Sequence, residues 1–327
     1  MHVPRPFILG LACGLFAGLG LFIALLYTQL GLPTNFSSWT YDISQKKQAL
    51  AAAIPGPRLL LIGGSGTTFG LNAQRIEEET GCRTVNMGTH AGLGLDYILY
   101  WAKEVARPGD TILLVVEYQL YTSPLGSEPH DDYILARDPA FFRQMSWLDK
   151  IDMATRISFK RIQKGFAIWR KPETPPRPHP PYTDGAAYLT NYGDETGNLE
   201  AERPPAGPNM DELAKPLVDG IPSDRTAGFN EIRSFLQWAR AHQVTVWATF
   251  PNIMHRPEYD GPKAQNAIKA ITDFYASQGI PVVGTAREAM LPSDQFFDTP
   301  YHLTHEAAVK RTERLVPEIK ACLNSAK

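Results

Sequence analysis

Between Arg58 and Leu323 short apolar runs alternate with helix-like segments, and this alternation leaves few architectures open to the chain. The β-rich runs are Arg58 to Ile62, Arg83 to Met87, Thr111 to Glu117, Val244 to Phe250 and Ile280 to Val283. Between them lie Asn72 to Thr80, Leu95 to Ala106, Ala227 to His242 and Pro262 to Gln278, with Gly81, Pro108–Gly109 and Gly279 as stop signals. A continuous apolar run suits a strand buried on both faces. Strands that alternate with helices form right-handed βαβ units around a parallel sheet, so the expected fold class is α/β with helices on both faces. His305 to Leu323 closes the pattern as a docking surface helix, with Val309, Leu315, Ile319 and Leu323 among charged residues.

One stretch breaks the alternation. Asp138 to Asp224 begins helix-like through Trp169 and turns rich in proline, glycine and acids, so residues 138–224 are expected to form a long insertion. Between Lys171 and Pro222 it reads as an irregular lid. Tyr182, Tyr188 and Tyr192 there are either lining for a sugar cleft or plain surface aromatics.

Ahead of the alternating region, Phe7 to Tyr27 carries no charge and, at about 1.5 Å per residue, spans roughly the 30 Å of a bilayer core. The run continues into Thr28, Gln29 and Leu30 without a small-x-small cleavage site, which favours an uncleaved anchor over a signal peptide or a buried helix. Arg5 precedes the span and Lys46 and Lys47 lie well beyond it, which places the amino terminus inside and the bulk of the chain on the exported side. In a bacterium that is an inner-membrane protein facing the periplasm or the exterior. Gly10, Gly14 and Gly18 share a helix face, suited to another membrane helix or simply part of a glycine-rich span. The expected division is an anchor in 1–32, a linker with a short helix from Gln48 to Ile54 in 33–57, and an α/β domain in 58–327. With a formal charge of −2, a nucleic-acid partner has no electrostatic support. Cys82 and Cys322 either pair or stay free.

The chemistry-bearing residues fall where strands end, and in open α/β sheets ligands bind at the carboxyl edge. RLLLIGGSGTTFG, from Arg58 to Gly70, breaks at a glycine pair and presents Ser65 there. TVNMGTHAGLGLDY brings Gly88 to the same edge, as a backbone N–H donor for a developing oxyanion. VVEYQLY delivers Glu117, Tyr118 and Gln119. QFFDTPYHLTHEAAVKRTERL sets Asp298, Tyr301 and His302 just before the last helix. A histidine titrates in the right range to take a serine proton, and a carboxylate holds its tautomer.

GGSGTTFG, NMG and DTPYHLT resemble the first, second and last sequence blocks of the SGNH (GDSL-like) hydrolase superfamily, over most of the chain from Arg58 onward. The resemblance implies a three-layer, flavodoxin-like parallel sheet. It also implies Ser65 as nucleophile, His302 as base, Asp298 as its orienter, and Ser65 and Gly88 as oxyanion donors, with no metal and no cofactor. The membrane-anchored form is similar to proteins that handle acyl groups, acetyl among them, on exported polysaccharides. Expected partners are therefore an acylated polysaccharide or acyl donor and a membrane-embedded acyltransferase. Two departures stand out: the third block lacks its usual G-x-N-D asparagine, leaving Asn252 in FPNIMH or Gln119 as the further donor, and three residues separate Asp298 from His302 where two are usual. Glu117, Tyr118 and Tyr301 are candidate substrate contacts.

Three other readings compete. Gly64, Gly66 and Gly70 approximate a dinucleotide fingerprint, but the second strand ends without the ribose-binding acid. His90, His302 and His305 lack a metal-ligand spacing. An SGNH-shaped scaffold that binds a glycan or a membrane acyltransferase without turnover is the reading that the altered third block favours.

Overall fold

The computed structural model describes residues 5–123, 126, 128–170, 186–205 and 214–325; Tyr182 and much of the expected lid lie outside them. In chain order come helix α1 (Arg5–Tyr27), helix α2 (Ser38–Ala53), strand β1 (Leu59–Gly63), the one-turn helix α3 (Ser65–Thr68), α4 (Ala73–Thr80), β2 (Thr84–Asn86), α5 (Gly94–Val105) and β3 (Thr111–Val115). Helices α6 (Glu128–Arg137), α7 (Pro139–Gln144), α8 (Trp147–Arg156), α9 (Phe159–Arg170), α10 (Lys215–Asp219) and α11 (Ala227–Ala241) follow. The remainder is β4 (Thr245–Thr249), β5 (Ile253–Met254), α12 (Pro262–Ser277), β6 (Val282–Val283), β7 (Met290–Leu291) and α13 (His305–Ser325). Two compact units result, one of residues 1–41 and 127–176, the other of 42–126 and 177–327. The helical start of the expected insertion thus clusters with the amino-terminal segment.

In the larger unit five parallel strands run in the order β2-β1-β3-β4-β6, so the chain switches direction at β1 and β3 as in doubly wound sheets. Strand side chains alternate between faces. Leu60 and Ile62 of β1, Ile112 and Leu114 of β3, and Val246 and Ala248 of β4 join one core with α5, α11 and α12. Leu59 and Leu61, Leu113 and Val115, and Trp247 join a second with Ala73 and Ile76 of α4 and Leu315 and Ile319 of α13. The expected α/β class with both faces covered is what the chain forms. Strand and helix bounds follow the expected ones to within a few residues, with Asn72 capping α4 through Arg75 N–H and left-handed Gly81 closing it.

Three differences carry physical reasons. Helix α2 begins at Ser38, ten residues before the expected start, inside what reads as linker. Its buried stripe includes Ser44 and Lys47 beside Ile43 and Ala51, and polar residues at inward positions erase the apolar period. Strands β5 and β7 form a separate parallel pair too short to stand out in the sequence. Residues 186–205 include lid sequence that instead runs along the sheet edge, where Asn86 N–H donates to Tyr192 O at 2.8 Å and Tyr192 packs on the second core. Cys82 and Cys322 pack on that same core and form no disulfide among the described residues.

In the smaller unit α1 is long and apolar enough to cross a membrane, and an 18-residue stretch within Pro6–Tyr27 has a mean hydropathy of 2.4. The chain leaving it is tied down at once. Tyr27 meets Phe142 edge to face at 5.3 Å, Gly31 N–H donates to Leu135 O, and Arg161 reaches Gln29 Oε1 and Leu32 O at 3.3 and 3.0 Å.

Candidate active site

Ser65 owes its position to a carboxylate. As β1 ends, Gly64 N–H and Gly66 N–H both donate to Glu117, at 3.3 and 3.0 Å, so the glycine turn closes around a side chain delivered by the segment after β3. A Cβ on Gly64 would collide with Glu117 Oε1 and lie 2.7 Å from the Ala91 backbone nitrogen. This close approach is why glycine is needed. Burial pushes the Glu117 carboxyl above its ordinary range, and its own backbone N–H, the two glycine N–H donors and nearby His302 pull it back. Glu117 thus borders the cleft while its carboxylate is spent on organising the turn.

His302 lies in a stapled loop. Phe296 and Leu303 pair as an antiparallel bridge and are fully buried, and Phe297 N–H donates to His302 O at 2.8 Å. Within the loop, His302 Nδ1 lies 2.8 Å from Asp298 Oδ1, and Phe69 stacks on the imidazole at 4.3 Å. Three residues separate the two, and the loop's reversal makes that spacing workable. With Nδ1–H donated to the carboxylate, Nε2 is the acceptor nitrogen of the neutral ring.

Ser65 and His302 line one open cleft of about 210 Å³ with His90, Glu117, Gln119 and Tyr301 among its walls. Tyr301 OH donates to Gln119 Oε1 at 3.0 Å, which turns the amide so that its NH2 remains a donor. Gly92 N–H donates to His90 Nδ1 at 2.9 Å, so the neutral ring carries its proton on Nε2. Burial, and secondarily the charge on His302, lower the His90 pKa to about 4, so it is neutral near pH 7. In the sequence His90 stands out only as one of three histidines without a metal-ligand spacing. Its place at the edge after β2, in THAGLG, was the available signal.

Other expected site residues are placed elsewhere. Gly88 does not line the cleft: its N–H donates to Asn86 Oδ1 at 3.1 Å and its carbonyl accepts from Lys47 Nζ at 2.6 Å, so it has no spare donor. Asn252 is fully buried, donates to Tyr301 O, and occupies the space a Cβ on Gly70 would need. Gln119 is therefore the one of the two alternative donors that reaches the cleft. Tyr118 is fully buried away from it, where desolvation drives the phenol pKa upward. His305 Nδ1 is paired with Glu195 O at 2.9 Å.

Behind the cleft, buried Lys47 ties Gly88 to the interior while the Asp194 carboxylate caps α4 through Ala73 and Gln74 N–H at 2.7 and 2.9 Å. Burial lowers Lys47 to about 7 against the pull of Glu195 and Asp194, and burial raises Asp194 to about 6. Arg311 of α13, also buried, donates to Gly70 O and Phe250 O at 2.8 and 2.6 Å, joining the turn after α3 to the end of β4. Nothing in the sequence pattern marks Lys47 as a partner of Gly88, because the two are 41 positions apart. Compared with known proteins, the sequence matches no family model and no curated protein.

Proposed function

We propose that the chain is a membrane-anchored serine esterase or O-acyltransferase of the SGNH kind, facing the exported side and acting on acyl groups, acetyl foremost, of an exported polysaccharide. The observation that carries this reading is the 2.8 Å contact of Asp298 with His302 in the cleft that Ser65 also lines. Ser65 Oγ attacks the acyl carbonyl carbon as His302 Nε2 takes its proton, and Asp298 stabilises the imidazolium. Ser65 N–H, Gln119 and neutral His90 are the donors that face the developing oxyanion. Collapse of the tetrahedral intermediate breaks the ester C–O bond, and the leaving oxygen takes the proton from His302. Water or a sugar hydroxyl then gives His302 its proton and attacks the acyl-serine; as the acyl C–Oγ bond breaks His302 returns that proton to Ser65 Oγ, and the free acid or a new ester is released.

Among the described residues Ser65 Oγ makes no hydrogen bond. Catalytic hydrogen bonds often tighten only with substrate in place. The test is turnover of an activated acetyl ester by the full chain in detergent, together with covalent labelling of Ser65 by a fluorophosphonate. Ser65→Ala and His302→Ala should abolish turnover, and Ser65→Ala the label. Wild-type turnover no faster than either variant, with Ser65 unlabelled, would leave a non-catalytic glycan-binding or scaffold subunit as the better account.

A further inference from the structure

We propose that α8 and α9 are a second membrane contact, lying in the headgroup region of the leaflet into which α1 emerges; this rests on the reading of α1 as a membrane anchor. Arg161 of α9 grips Gln29 and Leu32, which follow the last residue of α1, Tyr27, by two and five positions. Gly165, one turn along α9, passes so close that a Cβ would occupy the position of Gln29 Oε1. Helix α8 packs on α1 itself. Both helices are therefore held at the level where the span meets water.

Their outward faces have the chemistry of that level. Trp147 and Leu148 at the start of α8 are 65% and 78% exposed, and Phe159 at the start of α9 is 66% exposed. Among the described residues, large exposed apolar side chains are otherwise confined to α1, apart from Leu199 at 39% and Phe166, also of α9, at 36%. Lys160, next to Phe159, and Lys164, one turn further along α9, are exposed at the rim of the pocket that holds Asp131 and Asp132 and make no ion pair among the described residues. By contrast Arg156 and Arg161 on the same two helices are neutralised by Asp131 and Asp132. Aromatic and leucine side chains beside unpaired lysines are what an interfacial helix presents to a bilayer containing anionic lipid, with the apolar side chains roughly 5–10 Å deep. A membrane surface accounts for both the apolar exposure and the unpaired positive charge.

The test uses the full chain in vesicles of phosphatidylethanolamine and phosphatidylglycerol, with and without acyl chains brominated near the headgroup or at mid-chain. Trp147 is isolated as the difference between wild type and W147F; F159W reports on α9, and L15W on the middle of α1. The expected result is that the Trp147 signal and the F159W signal lose intensity to the shallow bromines and shift to the blue, while the L15W signal is lost to the deep ones. K160E/K164E should lessen the F159W loss, and so should replacing phosphatidylglycerol with phosphatidylcholine. If L15W is quenched but Trp147 and F159W stay unquenched at water-like wavelengths, the interfacial contact is wrong while the anchor stands. If L15W escapes quenching, the anchor fails and the contact with it.

Discussion

Glu117 Oε1 accepts the N–H of Gly66 at 3.0 Å, one residue past Ser65, so the placement of the serine depends on an acid more than fifty positions away. The second oxygen takes Gly64 N–H, and the two bonds hold the backbone on either side of Ser65. The carboxylate is buried, and its burial is compensated first by its own backbone N–H and then by the N–H groups of Gly66 and Gly64.

Glu117→Gln keeps the shape but can accept only one of the two N–H groups, its amide facing the other donor to donor. An unsatisfied buried donor costs about 1–3 kcal/mol. Chemical denaturation should show a loss of that size. Fluorophosphonate labelling of Ser65 should slow as well, and unchanged stability with unchanged labelling would remove Glu117 from its role.

Asp298→Asn reverses the hydrogen bond to His302. The amide donates to Nδ1, the ring proton moves to Nε2, and the histidine no longer accepts the Ser65 proton. Acyl turnover should fall by roughly 10³–10⁴ with little change in stability. A loss below tenfold in kcat would mean that Asp298 does not orient the base.

Gly64→Ala forces a methyl group against Glu117 and the Ala91 backbone, neither of which is a free end able to swing aside. Overpacking of this kind costs about 1–3 kcal/mol. Gly220→Ala is a useful contrast: its Cβ would meet nothing within 4 Å, but its φ of +87° strains any side chain. Gly64→Ala should therefore reduce both melting temperature and labelling of Ser65, and Gly220→Ala the melting temperature alone.

Lys47 gives a pH signature. Its folded pKa, near 7, lies below its unfolded value near 10.5, so between those values the unfolded chain holds more protons at this site. Stability then rises with pH across that window through this group. Lys47→Met should flatten the rise between pH 7 and 10, seen as a smaller pH dependence of the denaturation midpoint than in the wild type. Equal slopes in the two proteins would mean that Lys47 is not desolvated in the folded state.

The order of strands and helices was legible because it is written locally. Leu59 to Ile62 reads as a strand buried on both faces, and Asn72 and Gly81 announce the ends of α4 in the residues themselves. Ser65, Asp298 and His302 were legible for a related reason, since a glycine turn after a strand and a short D-x-x-x-H loop are compact patterns. What the sequence hid was pairing across distance. Gly88 looks like an oxyanion donor until Asn86 and Lys47 are seen to occupy its N–H and carbonyl. Asn252 and Tyr118 look like site residues until packing buries them away from the cleft.

By itself, then, the sequence determined an α/β sheet with covered faces, an apolar amino-terminal helix long enough to cross a bilayer, and the serine and histidine that end on one edge. Periodicity and turn chemistry are local properties and survive being read one residue at a time. Only the tertiary structure decided which donors remain to face the cleft, that Glu117 clamps the serine turn, and that Arg161 holds α9 beside the end of α1. A hydrogen bond satisfied by one partner is unavailable to another, and which partner wins depends on how distant segments pack.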